Sequence, residues 1–125
     1  MQKIEIRLPI RTVSEANNFE HWTRKHKRHA FQRKQVSLAF LNFRHSVIPL
    51  PCHVTITRIA PRPLDEEDNL RMAVKYIKDY IADKLVPGKR IGFADGDKRI
   101  TWHYAQQKGT KPREYAVKIE IDCNI

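Results

Sequence analysis

The stretch DNLRMAVKYIKDYIADKL, residues 68–85, is the part of this 125-residue chain that decides the fold. Its apolar residues recur at intervals of three and four, which aligns them along one side of an α-helix. These residues are Leu70, Ala73, Val74, Ile77, Ile81 and Leu85. Pro87 and Gly88 follow directly and are typical of a helix end. We therefore expect a helix over residues 68–84 that packs this apolar stripe against the rest of the protein.

The opposite side of the same helix is more polar. At about 100° per residue, the residues on that side are Asp68, Met72, Lys75 and Asp79. Asp68 is therefore expected to face solvent or substrate while the helix is held by its other side. Lys75 and Arg71 are placed to supply positive charge near Asp68.

Segments with a strand pattern alternate with two helical segments along the chain. Residues 2–8 alternate charged and apolar side chains, the period-two pattern of a half-buried strand. Further strands are predicted over residues 52–59, 99–104 and 114–121, and a first helix over residues 16–46. This order predicts a single domain over residues 1–125 with an α/β (α+β) fold, a mixed four-stranded sheet and two main helices. The turn at residues 108–113 further predicts that the last two strands pair as a hairpin.

Composition and cysteine content exclude several classes of protein. Hydrophobic residues make up 41% and charged residues 30% of the chain, which is typical of a globular rather than a disordered protein. No apolar run is long enough for a transmembrane helix, so no membrane partner is expected. Cys52 and Cys123 lie far apart, which excludes a disulfide scaffold and favours a cytoplasmic location. The sequence lacks the glycine-rich phosphate loops of nucleotide-binding folds, so no organic cofactor is expected.

Basic residues outnumber acidic ones, 24 against 14, and the excess is unevenly spread. Between His21 and Leu64 the sequence contains no Asp or Glu. Such a field attracts polyanions, with nucleic acid as the first candidate and a merely solvated surface as the alternative. The residues predicted to contact nucleic acid are Arg24, Lys25, Lys27, Arg28, Arg33, Lys34, Arg58, Arg62 and Arg71. We expect Trp22 and Phe31 to lie in the core, although either could instead stack on an unpaired base.

Four acidic residues stand side by side at positions 65–68, at the predicted start of the second helix. Adjacent carboxylates repel each other, and a divalent cation such as Mg²⁺, which prefers oxygen ligands, would relieve that repulsion. Acidic residues at a helix N-terminus also stabilise the helix without any metal. A second pair, Asp95 and Asp97, precedes the third strand in a loop that equally fits a simple turn. We expect the two acidic groups to converge on one ion.

The segment Glu66-Glu67-Asp68-Asn69-Leu70, followed by an aspartate before a strand, resembles the RusA-type Holliday junction resolvases. The Leu8-Pro9 end of the first strand and the long helix before the second strand fit the same family. The resemblance implies a small homodimeric endonuclease that uses Mg²⁺, with Mn²⁺ as a substitute. Its substrate would be branched DNA, above all the four-way junction, cut by paired symmetric nicks in DNA recombination and repair. Such enzymes are often encoded by phages or prophages.

Carried over by position, the resemblance assigns the metal ion to Glu66, Asp68 and Asp97, with Asp95 as the alternative third ligand. Asp68 and Asp97 match the aspartates of the family's motif. Glu66 stands where the family usually has Asp, and its extra methylene would shift a bound metal relative to the substrate.

Met72 stands where the family has a catalytic lysine. The resemblance therefore leaves Lys75, or the neighbouring Arg71, to stabilise charge on the phosphate. The same departure supports an alternative function, a non-catalytic nucleic-acid-binding protein in which the acidic residues only cap the helix. A third hypothesis is a ribonuclease with the same metal chemistry.

Overall fold

The structure, a computed structural model, describes residues 2–13, 22–41, 48–64, 69–88 and 94–123. Its strands and helices are β1 (Gln2–Leu8), α1 (Trp22–Leu41), β2 (Cys52–Ala60), α2 (Asn69–Leu85), β3 (Ile100–Lys108) and β4 (Ala116–Cys123). A 3-10 turn, Ala94–Gly96, precedes β3. The predicted α+β fold, with a mixed four-stranded sheet and two main helices, is confirmed. Neither described helix is long and apolar enough to cross a membrane.

The four strands lie in the order β1-β4-β2-β3, which contradicts the predicted hairpin. Strands β3 and β4 both pair with β2 and lie on its opposite sides, β3 parallel and β4 antiparallel. Strands β4 and β2 are the two interior strands, and β2 is the more completely buried of them, as its run of buried residues from Ile56 to Ala60 indicates. The β3–β4 connection therefore arches over the end of β2, where the Gly109 N–H donates to the Ala60 carbonyl oxygen over 3.3 Å.

Both helices pack on one face of the sheet, where they bury a single apolar core. The sheet contributes alternate residues of each strand, and the register aligns Val54 of β2 with Ile121 of β4, which in turn faces Ile4 of β1. Every residue of the apolar stripe expected for α2 is buried, with Ile77 at its centre and fully inaccessible. Beyond the last turn of α2, Gly88 adopts a positive φ of 95°, which explains why glycine follows the helix.

Helix α1 buries fewer of its apolar residues than the sequence analysis predicted. Its buried residues are Gln32, Val36 and Phe40, which are spaced by four along one line of the helix. Trp22 and Phe31, expected in the core, lie off this line and are 70% and 43% exposed. The prediction that they are core residues is therefore wrong, and these aromatic rings lie at the protein surface.

The opposite face of the sheet carries charged residues that are paired with one another. The Glu120 carboxylate of β4 lies 3.3 Å from the Lys3 ammonium of β1 and 3.7 Å from the Lys118 ammonium of its own strand. Arg7 of β1 lies 3.0 Å from Glu114. Exposed pairs of this kind add little to stability, but they leave this face close to neutral.

The two cysteines, distant in sequence, lie at neighbouring positions of β2 and β4. Both Cys52 and Cys123 are buried and free. Burial, together with the nearby Cys123 thiol, raises the pKa of Cys52 to about 11. Since the thiolate is the reactive form, these thiols are chemically inert in the folded protein.

The central position of Ile77 makes it a sensitive probe of the fold. Ile77→Ala should lower the free energy of unfolding by between about 2 and 5 kcal/mol, because it removes a fully buried side chain and leaves a cavity. Urea denaturation followed by circular dichroism measures the loss. Lys84→Gln, at an exposed position of the same helix, is the matched control and should cost less than about 1 kcal/mol. Equal losses in both variants would contradict the assigned packing of α2.

Candidate nucleic-acid and metal site

The outward side of α2 carries the polar residues that the helix periodicity placed there. Lys75 is exposed, and Met72 and Asp79 are half-buried. The orientation predicted for these three residues is confirmed, because the apolar stripe lies on the opposite side. Glu66 and Asp68 lie outside the described residues, so their predicted role as metal ligands is a matter for experiment.

Two cations of α2 lie over aromatic rings of β3. The Arg71 guanidinium is 5.7 Å from the centre of the Tyr104 ring, and the Lys78 ammonium is 5.3 Å from that of Trp102. Such cation–π contacts hold a long basic side chain in place while leaving it charged. Trp102 is itself anchored, since its indole N–H donates to the Asp95 carbonyl oxygen over 3.1 Å. These contacts maintain positive charge along the β3 flank of α2.

Asp97, one of the predicted metal ligands, is engaged by Arg99. Its Oδ1 accepts from the Arg99 backbone N–H and from Nε, both at 3.0 Å, and its Oδ2 accepts from Nη2 at 2.8 Å. The Asp97 side chain is only 7% exposed. These bonds fix the turn that leads into β3, and a metal ion at Asp97 would have to displace the guanidinium.

Asp95, the alternative ligand, lies near Asp79 of α2. The pKa of Asp79 is raised to about 6, first by burial and then by the negative charge of Asp95, while Lys75 and Lys78 oppose the shift. The negative charge of Asp95 thus disfavours ionisation of Asp79, and a proton or a cation near the two carboxylates would relieve this repulsion. Within the parts of the chain that the structure describes, no three His, Cys, Asp or Glu side chains are grouped to hold a metal ion.

The start of α2 and the aspartates before β3 lie at different heights along strand β3. Asp79, beside Asp95, is ten residues beyond Asn69, a distance of about 15 Å along a helix. Leu64 adjoins Gln106 near the end of β3, whereas Asp97 precedes the beginning of that strand. A Mg²⁺ ion requires its ligands within about 2.1 Å. Because residues 65–68 lie outside the described residues, the expected convergence of the two acidic groups on one ion stays a prediction.

Gln106 holds the backbone just before the acidic segment, a role that the sequence analysis did not assign. Its side-chain amide donates to the Leu64 carbonyl oxygen and accepts from the Leu64 N–H, both over 2.7 Å. Gln106 belongs to the same row of β3 as Trp102 and Tyr104, the row that faces the helices. An amide side chain on an inward-facing row needs hydrogen-bond partners. This need was the only feature of the sequence that could have pointed to the contact between Gln106 and Leu64.

Arg58 and Arg62, both predicted to contact nucleic acid, have different environments. Arg58 is buried, and it donates from Nε to the Thr12 hydroxyl over 2.9 Å and from Nη1 to the Arg62 carbonyl oxygen over 2.8 Å. Burial lowers its pKa from the usual arginine value. Arg58 thus braces two chain segments, whereas the Arg62 side chain is exposed and accessible to a ligand.

The basic residues of α1 lie on the surface of the helical layer. Arg24, Lys27, Arg33 and Lys34 are exposed, and Lys25 and Arg28 are half-buried. Helix α1 packs against α2, and Arg33 and Lys34 of α1 lie beside Tyr76 and Tyr80 of α2. The part of the predicted basic surface at Arg33 and Lys34 therefore adjoins α2.

The sequence matches no protein-family model and no curated protein. The link to the junction resolvases therefore rests on the motif at residues 66–70, on the aspartates before β3 and on the order of the elements.

The raised pKa of Asp79 predicts a pH-dependent effect of its removal. The folded state binds this proton with a pKa of about 6, above the 3.8 of an ordinary aspartate, so ionisation opposes folding as the pH rises between these values. Asp79→Asn should therefore raise the melting temperature by a few degrees at pH 7.5 and by almost nothing below pH 4. Thermal unfolding in EDTA at both pH values measures the difference. A gain of the same size at both would contradict this origin of the effect.

Proposed function

We propose that this protein is a Mg²⁺-dependent endonuclease that cuts branched DNA, as the RusA-type junction resolvases do. The observation that carries the proposal is the combination of charges on one side of the molecule. The basic surface of α1 adjoins α2, which carries Lys75 on its outward side and Arg71 and Lys78 on its β3 flank. The acidic segment 65–68 leads directly into this helix, and Asp95 lies against its middle. Carboxylates embedded in a basic surface fit a metal ion that acts on phosphate.

The metal would be held by Glu66 and Asp68 together with an aspartate from the turn before β3. Carboxylate oxygens are the donors that Mg²⁺ prefers, so the chemistry of the residues fits the ion. For the third ligand, the contacts favour Asp95, which lies beside another carboxylate, over Asp97, whose oxygens are taken by Arg99. Bound there, Mg²⁺ would supply Lewis acidity toward the scissile phosphate and the attacking water.

The remaining residues would bind and orient the substrate. The basic residues of α1 would contact DNA phosphates with little reading of sequence. Lys75 and Arg71 would lie near the scissile phosphate and stabilise its charge in the transition state. Gln106 would act as a positioning residue, because it fixes Leu64 and thereby the point from which the acidic segment starts.

In a homodimer, each metal site would draw its two acidic groups from different copies of the chain. Along α2, Asn69 lies ten residues, about 15 Å, from Asp79, the residue beside Asp95. If two copies pack with these regions facing each other, the start of α2 from one copy meets the aspartates of the other. A twofold axis then generates two identical sites, which matches the need to nick two opposed strands of a junction.

Two observations support a second function, a nucleic-acid-binding protein without catalysis. Met72 occupies the position of the family's catalytic lysine, and its side chain is half-buried. Asp97 is closed by Arg99 in a pairing that needs no metal. In that case the basic surface alone would bind DNA, and the affinity would fall steeply with salt.

Cleavage of a synthetic four-way DNA junction tests the proposed activity. The protein should make paired symmetric nicks in the junction with Mg²⁺ or Mn²⁺, none in EDTA, and none in a linear duplex of the same sequence. Asp68→Asn should reduce cleavage by at least about a thousandfold while leaving junction affinity nearly unchanged. Glu5→Gln, on the neutral face of the sheet, is the control and should cut normally. Tight junction binding by the unmodified protein without nicking in either metal would favour the binding protein, and preferred cutting of RNA would favour a ribonuclease.

Mixed dimers test whether the site is shared between two chains. Asp68→Asn and Asp95→Asn should each be inactive alone. When the two variants are co-expressed, a shared site predicts that one of the two sites in each mixed dimer regains both carboxylates, so single nicks reappear. Restoration with Asp97→Asn in place of Asp95→Asn would assign the third ligand to Asp97. If neither mixture regains nicking activity, all ligands of one metal ion come from the same chain.

A further inference from the structure

A groove between the two helices offers a second binding site on the same side of the molecule. It has a volume of about 490 Å³, and its lining includes His26, His29, Arg33 and Lys34 of α1 with Tyr76 and Tyr80 of α2. The α1 residues follow one another at helical spacing along the face turned toward α2. No carboxylate is among the described residues that line it. The groove therefore combines basic and aromatic side chains in a space the size of a small-ligand site.

The aromatic part of the groove is already ordered. The rings of His29 and Tyr76 stack with centroids 3.7 Å apart and planes inclined by 29°. The Lys75 ammonium lies 5.7 Å from the centre of the Tyr76 ring. Two rings packed in this way form an aromatic surface in the groove, and aromatic surfaces of this kind bind nucleic-acid bases without reading their sequence.

The cationic part of the groove lies next to this aromatic surface. Arg33 lies close enough to Tyr80 to oppose the rise that burial causes in the pKa of the Tyr80 hydroxyl. Lys34 follows Arg33 on the same wall, and both side chains are exposed. A guanidinium beside an ammonium is suited to a phosphate, which accepts several hydrogen bonds. One ligand that presents a flat ring and a phosphate a few ångströms apart would satisfy both parts.

An unpaired nucleotide has these properties, whereas a base in a duplex does not. In duplex DNA the flat faces of the bases are covered by their neighbours, so a groove can reach phosphates but no ring face. We propose that the groove between α1 and α2 binds an unpaired nucleotide of DNA, with the base against Tyr76 and His29 and the phosphate at Arg33 and Lys34. The proposal rests on the proposed function, since strands that separate at a branch would supply such nucleotides next to Lys75.

Binding in the absence of metal tests the groove separately from catalysis. The probe is a fluorescein-labelled oligothymidylate, compared by fluorescence anisotropy in EDTA with a duplex of equal length at several salt concentrations. Tyr76→Leu should weaken single-strand binding by about tenfold and leave duplex binding unchanged, while Tyr76→Phe, which keeps the ring, should bind normally. Arg33→Gln should weaken both and lower the salt slope by about one. Lys111→Gln, in the β3–β4 connection, is the charge-matched control and should change neither by more than about twofold.

Circular dichroism confirms that each variant is folded before it is compared. No single-strand binding by the unmodified protein, or equal losses for single strand and duplex in Tyr76→Leu, would overturn the proposal. If junction cleavage is found but Tyr76→Leu binds the oligothymidylate normally, the groove proposal fails and the nuclease stands. If Tyr76 is needed for single-strand binding but no junction is cut in any metal, the nuclease fails and the groove stands as a single-strand binding site.

Discussion

Strand β2 must find hydrogen-bond partners along both of its edges, and much of the architecture is a consequence of this need. Its inward residues, among them Val54 and Ile56, are fully inaccessible, so a free edge here would leave polar backbone groups in an apolar core. Both partners come from later in the chain, β3 by way of α2 and β4 by way of an arch. Because β3 is parallel to its neighbour β2, the chain has to return along the length of the strands between them, and α2 is that connection. The candidate site is laid out along this helix.

The local features of the fold could be predicted because short stretches of sequence determine them. The stripe through Ile77 and the alternation of residues 2–8 are set by neighbours within one or two turns or pleats. The strand order could not be predicted in this way, since the turn after β3 has the same residues whether it closes a hairpin or arches over β2. Trp22 and Phe31 show a related limit. Their apolar character indicated burial, but their position off the line of Val36 and Phe40 decides that they are exposed.

The same distinction, between features set by neighbouring residues and features set by distant segments, applies to the candidate site. The outward orientation of Lys75 follows from helix periodicity and was predictable. The pairing of Asp97 with Arg99, the repulsion between Asp79 and Asp95, and the anchoring of Leu64 by Gln106 depend on segments that meet only in the folded chain. The two residues of that last contact are 42 positions apart. Such contacts decide which carboxylate is accessible to a metal ion, and a one-dimensional pattern cannot rank them.

The paired charges on the outer face of the sheet have a consequence for how the protein meets a polyanion. Lys3, Lys118 and Arg7 are neutralised by acidic neighbours, so the net charge of +10 is not spread evenly and its excess falls toward the helices. A molecule charged in this way has an electric dipole moment as well as a net charge. In the field of a polyanion such a molecule would experience a torque as well as an attraction, which would turn the helical side forward before any contact is made. Productive encounters would then outnumber those of a protein with the same charge distributed uniformly.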